Sequence, residues 1–182
     1  MLGAASVRSL GIRGMTVAAI ALVLSSCGIL DRSQPPACPR VSIIGDAARV
    51  AKFRPGSRQD LTDLLFEAEI TGLGGDCLYD EDGVTVDLTV FMTGARGPAD
   101  LSRAGNVDYF IAIVGPDREI LVKEGLSLRF DFADNRTRAA LTDEVEQRIP
   151  LRSRARGPEY EIMVGFQLTA DEIEQTRRRR AQ

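Results

Sequence analysis

The side chains that could do chemistry in this sequence are three cysteines, a bunch of acids and a run of arginines. Histidine is absent from all 182 residues. Its absence removes Ser-His-Asp and Cys-His nucleophilic catalysis, imidazole general-base work and the common zinc and iron ligand sets. Asp76, Asp80, Glu81 and Asp82 crowd before Gly83. Calcium needs six or more oxygens on a defined spacing, and no distal Glu completes this set. The bunch reads as a solvated turn leading into a strand at Val84. Gly72-Leu73-Gly74-Gly75 leads to Asp76-Cys77, without the Lys-Ser/Thr of a phosphate loop. It reads as a plain loop. Acids abound, but nothing picks out two for glycoside hydrolysis, and no Gly-x-Ser-x-Gly elbow is present. No metal, cofactor or catalytic residue is expected.

The basic residues are a different matter. Arg177, Arg178, Arg179 and Arg180 end the chain, and Arg96 lies in the irregular stretch 94–106. These are the candidate partner contacts. The arginine tail suits anionic headgroups, an acidic partner, or the acidic surface of its own domain.

Positioning such residues begins at the N-terminus. Arg8 and Arg13 precede the apolar run Met15–Leu24, and Ser25-Ser26 then leads to Cys27. A basic region, a short apolar run and small residues make a secretory signal, too short to stay as a spanning helix. With Leu24-Ser25-Ser26-Cys27 at its end, the segment resembles the lipobox of bacterial lipoproteins. The resemblance covers residues 1–27 only. It implies that residues 1–26 are cleaved and that Cys27 carries the acyl chains that hold the protein to a membrane. Gly28 stands where an inner-membrane lipoprotein of enteric bacteria has Asp. The periplasmic face of the outer membrane is therefore expected, with the inner membrane as the alternative. Residues 27–37, with Pro35-Pro36, read as a tether. Its eleven steps reach roughly 35 Å when extended, so the domain need not touch the membrane. In the oxidising compartment that this address implies, Cys38 and Cys77 are the pair left to form a disulfide. Two unpaired buried thiols are the alternative.

The chain beyond the signal carries 21 basic and 26 acidic residues. An acidic body argues against nucleic acid as a partner. Its 156 residues suffice for one domain with a real core.

Residues 38–168 carry the two-residue period of strands. Phe66, Ala68 and Ile70 alternate with polar neighbours, as do Val84 through Met92, Leu126 through Phe132, and Tyr160 through Phe166. Val107–Val114 is apolar on both faces and suits a central strand. Gly115-Pro116-Asp117 marks a hairpin into Glu119–Val122, and Gly125 a bulge. Val41–Ile44 and Val145–Ile149 are weaker strands, the latter ending at Pro150 or lying at an edge. The expectation is an all-β fold: an antiparallel β-sandwich of seven or eight strands, with an immunoglobulin-like arrangement as one form and a small barrel as the alternative. Thr169 and Glu172 fit a capping box that opens a helix over 169–182.

These features point to a lipid-anchored, non-catalytic envelope protein facing the periplasm, acting as an adaptor or binding a cell-wall partner. A carrier of lipid or another small apolar ligand is one alternative. A carboxylate-dependent cell-wall hydrolase is another.

Overall fold

The computed structural model describes residues 36–180, with side chains in the last helix as far as Arg178. The expected signal, Cys27 and most of the tether lie outside the described residues.

Eight strands and one helix follow in order: β1 (Arg40–Ile43), β2 (Arg49–Phe53), β3 (Leu64–Tyr79), β4 (Gly83–Arg96), β5 (Ala104–Val114), β6 (Ile120–Asp131), β7 (Arg138–Pro150), β8 (Glu161–Phe166) and α1 (Ala170–Arg180). One sheet has the order β1-β8-β5-β6 and the other β2-β3-β4-β7. All neighbours are antiparallel except β1, which runs parallel to β8. The sheets do not close into a barrel; they form a sandwich. Two long hairpins, β3–β4 and β5–β6, set this strand order. An immunoglobulin domain instead places its second strand beside its fifth.

Alternation explains the core. Phe66, Ala68 and Ile70 of β3 and Val84 through Met92 of β4 send every second side chain inward. They meet Val107, Tyr109, Ile111 and Ile113 of β5, Phe130 of β6 and Ile162, Val164 and Phe166 of β8. Burying each such aliphatic side chain contributes about 1.5–3 kcal/mol. Two core rings enter opposite glycine. A Cβ on Gly94 would stand 2.8 Å from the Phe130 ring, and one on Gly105 2.8 Å from that of Phe66.

Three local expectations change. Gly72–Gly75 is not a loop but the middle of β3, with a register shift between Ile70 and Gly72. The Phe91 ring lies across Gly72 and Gly74 from the neighbouring strand and covers backbone that glycine leaves bare. No bulge occurs at Gly125; Gly125 pairs in register with Phe110, and the shift falls between Ile113 and Val114. The irregular stretch 94–106 shrinks to 97–103, because β4 runs to Arg96 and β5 starts at Ala104.

The strands give the sandwich two ends. One carries Pro36, the β3–β4 turn, the β5–β6 turn and the 151–160 crossing from β7 to β8; we call it the tether end. The distal end carries the 97–103 loop, the 132–137 loop and α1. Cys38 and Cys77 are bonded at the tether end, their Cα atoms 5.8 Å apart. The Tyr79 hydroxyl donates to the Ala37 carbonyl at 2.7 Å beside them.

Candidate functional site

The 97–103 loop is short, buried at its base and built around one carboxylate. Gly97 lets the chain turn close under β3: a Cβ there would meet the Leu64 carbonyl oxygen at 2.0 Å. The loop is pinned back by Gly97 N–H to Leu65 O and Ala99 N–H to Leu64 O. Asp100 is 6% exposed. Its carboxylate accepts from Arg96 Nε at 2.7 Å, Ser102 N–H at 2.9 Å, Ser102 Oγ at 2.7 Å and Arg103 N–H at 3.1 Å. Arg96 also donates to the Asp100 carbonyl oxygen at 2.7 Å. Arg103 adopts a left-handed φ of 57° to close the turn, and its guanidinium pairs with Asp134. Burial pushes the Asp100 carboxyl up. The bonds from Ser102 and Arg96 outweigh that and hold it below the usual carboxylate range.

Leu101 stands on this locked turn and is 95% exposed. Leu61, in the short turn preceding β3, is also exposed at the same end. Single exposed leucines are ordinary. A leucine held out on a turn pinned by the buried Asp100 carboxylate is pre-organised, which lowers the ordering cost of a contact. The sequence offers Arg96 as one of five candidate contacts. The structure places it as the strut, its side chain only 20% exposed and bonded to Asp100. Leu101 was missed because one leucine among polar residues carries no pattern.

The arginine tail sits on α1. The capping box forms as expected: Thr169 N–H donates to Glu172 Oε2 at 2.8 Å, and Glu172 N–H to Thr169 Oγ1 at 3.3 Å. Glu172 also pairs with Lys52 of β2 at 2.7 Å. Burial raises its carboxyl, but Lys52 and Thr169 lower it further. Arg177 reaches Asp46 at 3.5 Å and Glu174 at 3.8 Å. It thus turns onto the domain's own acids, while Arg178 is exposed. The side chains of Arg179 and Arg180, like Cys27, fall outside the described residues. Between α1 and the edge of β2 lies a shallow concavity of 680 Å³, lined by Arg49, Glu67, Glu69, Arg138 and Glu172 among others.

The acidic turn is structural. Asp80 Oδ1 accepts from Asp82 N–H and Gly83 N–H, both at 2.9 Å. Arg148 grips the same carboxylate at 2.5 and 2.8 Å. The Arg148 guanidinium, then these backbone donors, hold the Asp80 carboxyl well below its ordinary range. Among the described residues, no three Asp, Glu or Cys side chains converge as metal ligands. Inside the sandwich the buried Tyr109 hydroxyl donates to Asp143 at 2.5 Å. Burial, then Asp143, pushes this phenol far up, so it stays a neutral donor.

No family model, curated protein or solved structure matches this chain.

Proposed function

We propose that this protein is a lipid-anchored envelope protein that faces the periplasm and works by binding, as an adaptor or accessory subunit. The anchor rests on the lipobox resemblance at Cys27, and Gly28 favours the outer membrane. The binding role is carried by one observation: the locked 97–103 loop presents Leu101 at the end of the sandwich opposite Pro36, where the tether enters. A tethered domain offers that end to partners at a distance from the membrane. What supports Leu101 as a contact is its fixed base, because a pre-ordered apolar side chain meets a partner at low entropic cost.

The test is crosslinking in cells, followed by affinity purification and mass spectrometry, on wild type and Leu101→Asp. One dominant partner, lost in the variant, is the expected result. A partner retained by Leu101→Asp would move the contact elsewhere. Recovery of no protein partner would overturn the adaptor reading.

A further inference from the structure

The tether end carries more apolar surface than a hydrated stalk needs. Leu78 is 72% exposed beside the Cys38–Cys77 bridge. Across the same end, β6 begins with Ile120 and Leu121, exposed by 65% and 47%. These residues open the hairpin after the 115–119 turn, where β6 is an edge strand. Leu121 shares a concavity of 280 Å³ with Pro116, Asp117, Glu119, Arg152 and Arg156. The 151–160 crossing thus brings arginines against the apolar hairpin. Arg154 adds a third, donating to the Asp80 carbonyl oxygen at 2.8 Å.

We propose that the tether end is a bilayer-docking surface. Its partner is the headgroup layer of zwitterionic phospholipid, with Leu78, Ile120 and Leu121 entering the acyl boundary. Arg152 meets lipid phosphates; Asp117 and Glu119 meet the lipid amines, while Arg156 is held by Glu159 at 3.0 Å. The acids at this end, Asp80, Glu81 and Asp82 of the β3–β4 turn with Asp117 and Glu119, disfavour a strongly anionic layer. The argument for this occupant is where the chain leaves the fold. Pro36 lies at this end, nine residues after Cys27, so acyl chains on Cys27 would lie within about 30 Å of it. Leu78 is on the outer face of β3 near its tip, and the acids Asp76, Asp87 and Glu146 of that face stand one row further from the tether end.

This proposal rests on the lipid-anchor reading and has its own readout. The chain has no tryptophan, so one introduced tryptophan reports its surroundings alone. Leu121→Trp, Leu78→Trp and Leu101→Trp proteins, purified with their native lipid, would be placed in phosphatidylethanolamine–phosphatidylcholine vesicles with or without brominated chains. Mass spectrometry of the Cys27 peptide reads the anchor separately. Docking predicts blue-shifted emission, quenched at least twofold by bromine, for Leu121→Trp and Leu78→Trp, and no quenching for Leu101→Trp. Lipidated Cys27 with equal, unquenched emission at all three sites overturns docking alone. An unlipidated Cys27 overturns the anchor and docking with it. A blue shift that follows protein concentration and ignores bromine would assign this end to a second copy and also refute docking.

Discussion

Asp80 and Asp100 stand just beyond opposite ends of β4 and are bonded alike. Each carboxylate accepts two backbone N–H groups of the turn that follows it and one arginine. The surroundings differ. At the tether end the Asp80 and Arg148 side chains are 52% and 41% exposed. At the distal end the Asp100 and Arg96 side chains are 5% and 20% exposed. Water competes for every bond at Asp80 and for few at Asp100. One motif is therefore a solvated turn in the first place and a structural lock in the second. The tether end has a covalent bond where the distal end has a buried ion pair.

The largest effect should come from removing that bond. Cys38→Ser with Cys77→Ser should lower stability by up to about 4 kcal/mol on the chain-entropy model. Urea unfolding of the double variant checks it; an unchanged midpoint would mean that the tether end is held by packing instead. Next comes Asp100→Ala, which strands the Arg96 guanidinium and two turn N–H groups. It should cost about 3 kcal/mol, or roughly 10 °C in Tm for a domain of this size. Asp80→Ala should barely move the same melting curve. A large loss there would break the comparison.

Acid sharpens it further. Both carboxyls lie below their ordinary values in the fold, so their stabilisation is full above about pH 4. It is lost as pH falls through the folded values, because the unfolded chain takes the protons first. Adding about 1 M salt shortens screening to roughly 3 Å. Salt should erase the part of the acid dependence that Asp80→Asn removes and spare the part that Asp100→Asn removes. The smallest effect belongs to Leu101→Asp. Melting should be unchanged within error even as the crosslinked partner is lost, because the side chain touches almost nothing in its own domain.

Much of this was legible in the sequence. Strict alternation marked β3, β4 and β8 because each buries one face only, and both-sided apolarity marked β5 as an interior strand. The capping box marked the start of α1. What escaped has physical reasons. β2 is short and at an edge, and Val50 is its one fully buried side chain, so it has no period. The glycines of β3 read as a loop because their cover, Phe91, comes from the next strand. The merging of two segments into one uninterrupted β6 was hidden by Gly125, which has open space where a side chain would stand. The Arg96–Asp100 lock pairs residues four apart outside any helix, where no periodic rule applies. A turn-forming Asp three residues after Gly97 was the signal available for it.

β1 and β8 are the first and last strands, and they are neighbours. Arg40 through Ile43 lie in register with Glu161 through Val164, and Ser42 Oγ bonds Glu161 at 2.8 Å. A chain made from its N-terminus therefore cannot finish this sheet until some 120 residues have followed β1. The segment nearest the tether must wait, unpaired, for a strand made some 120 residues later. Truncation before residue 161 would leave β1 and β5 each without the strand that lies between them. The closing of this sheet thus depends on synthesis having passed β8.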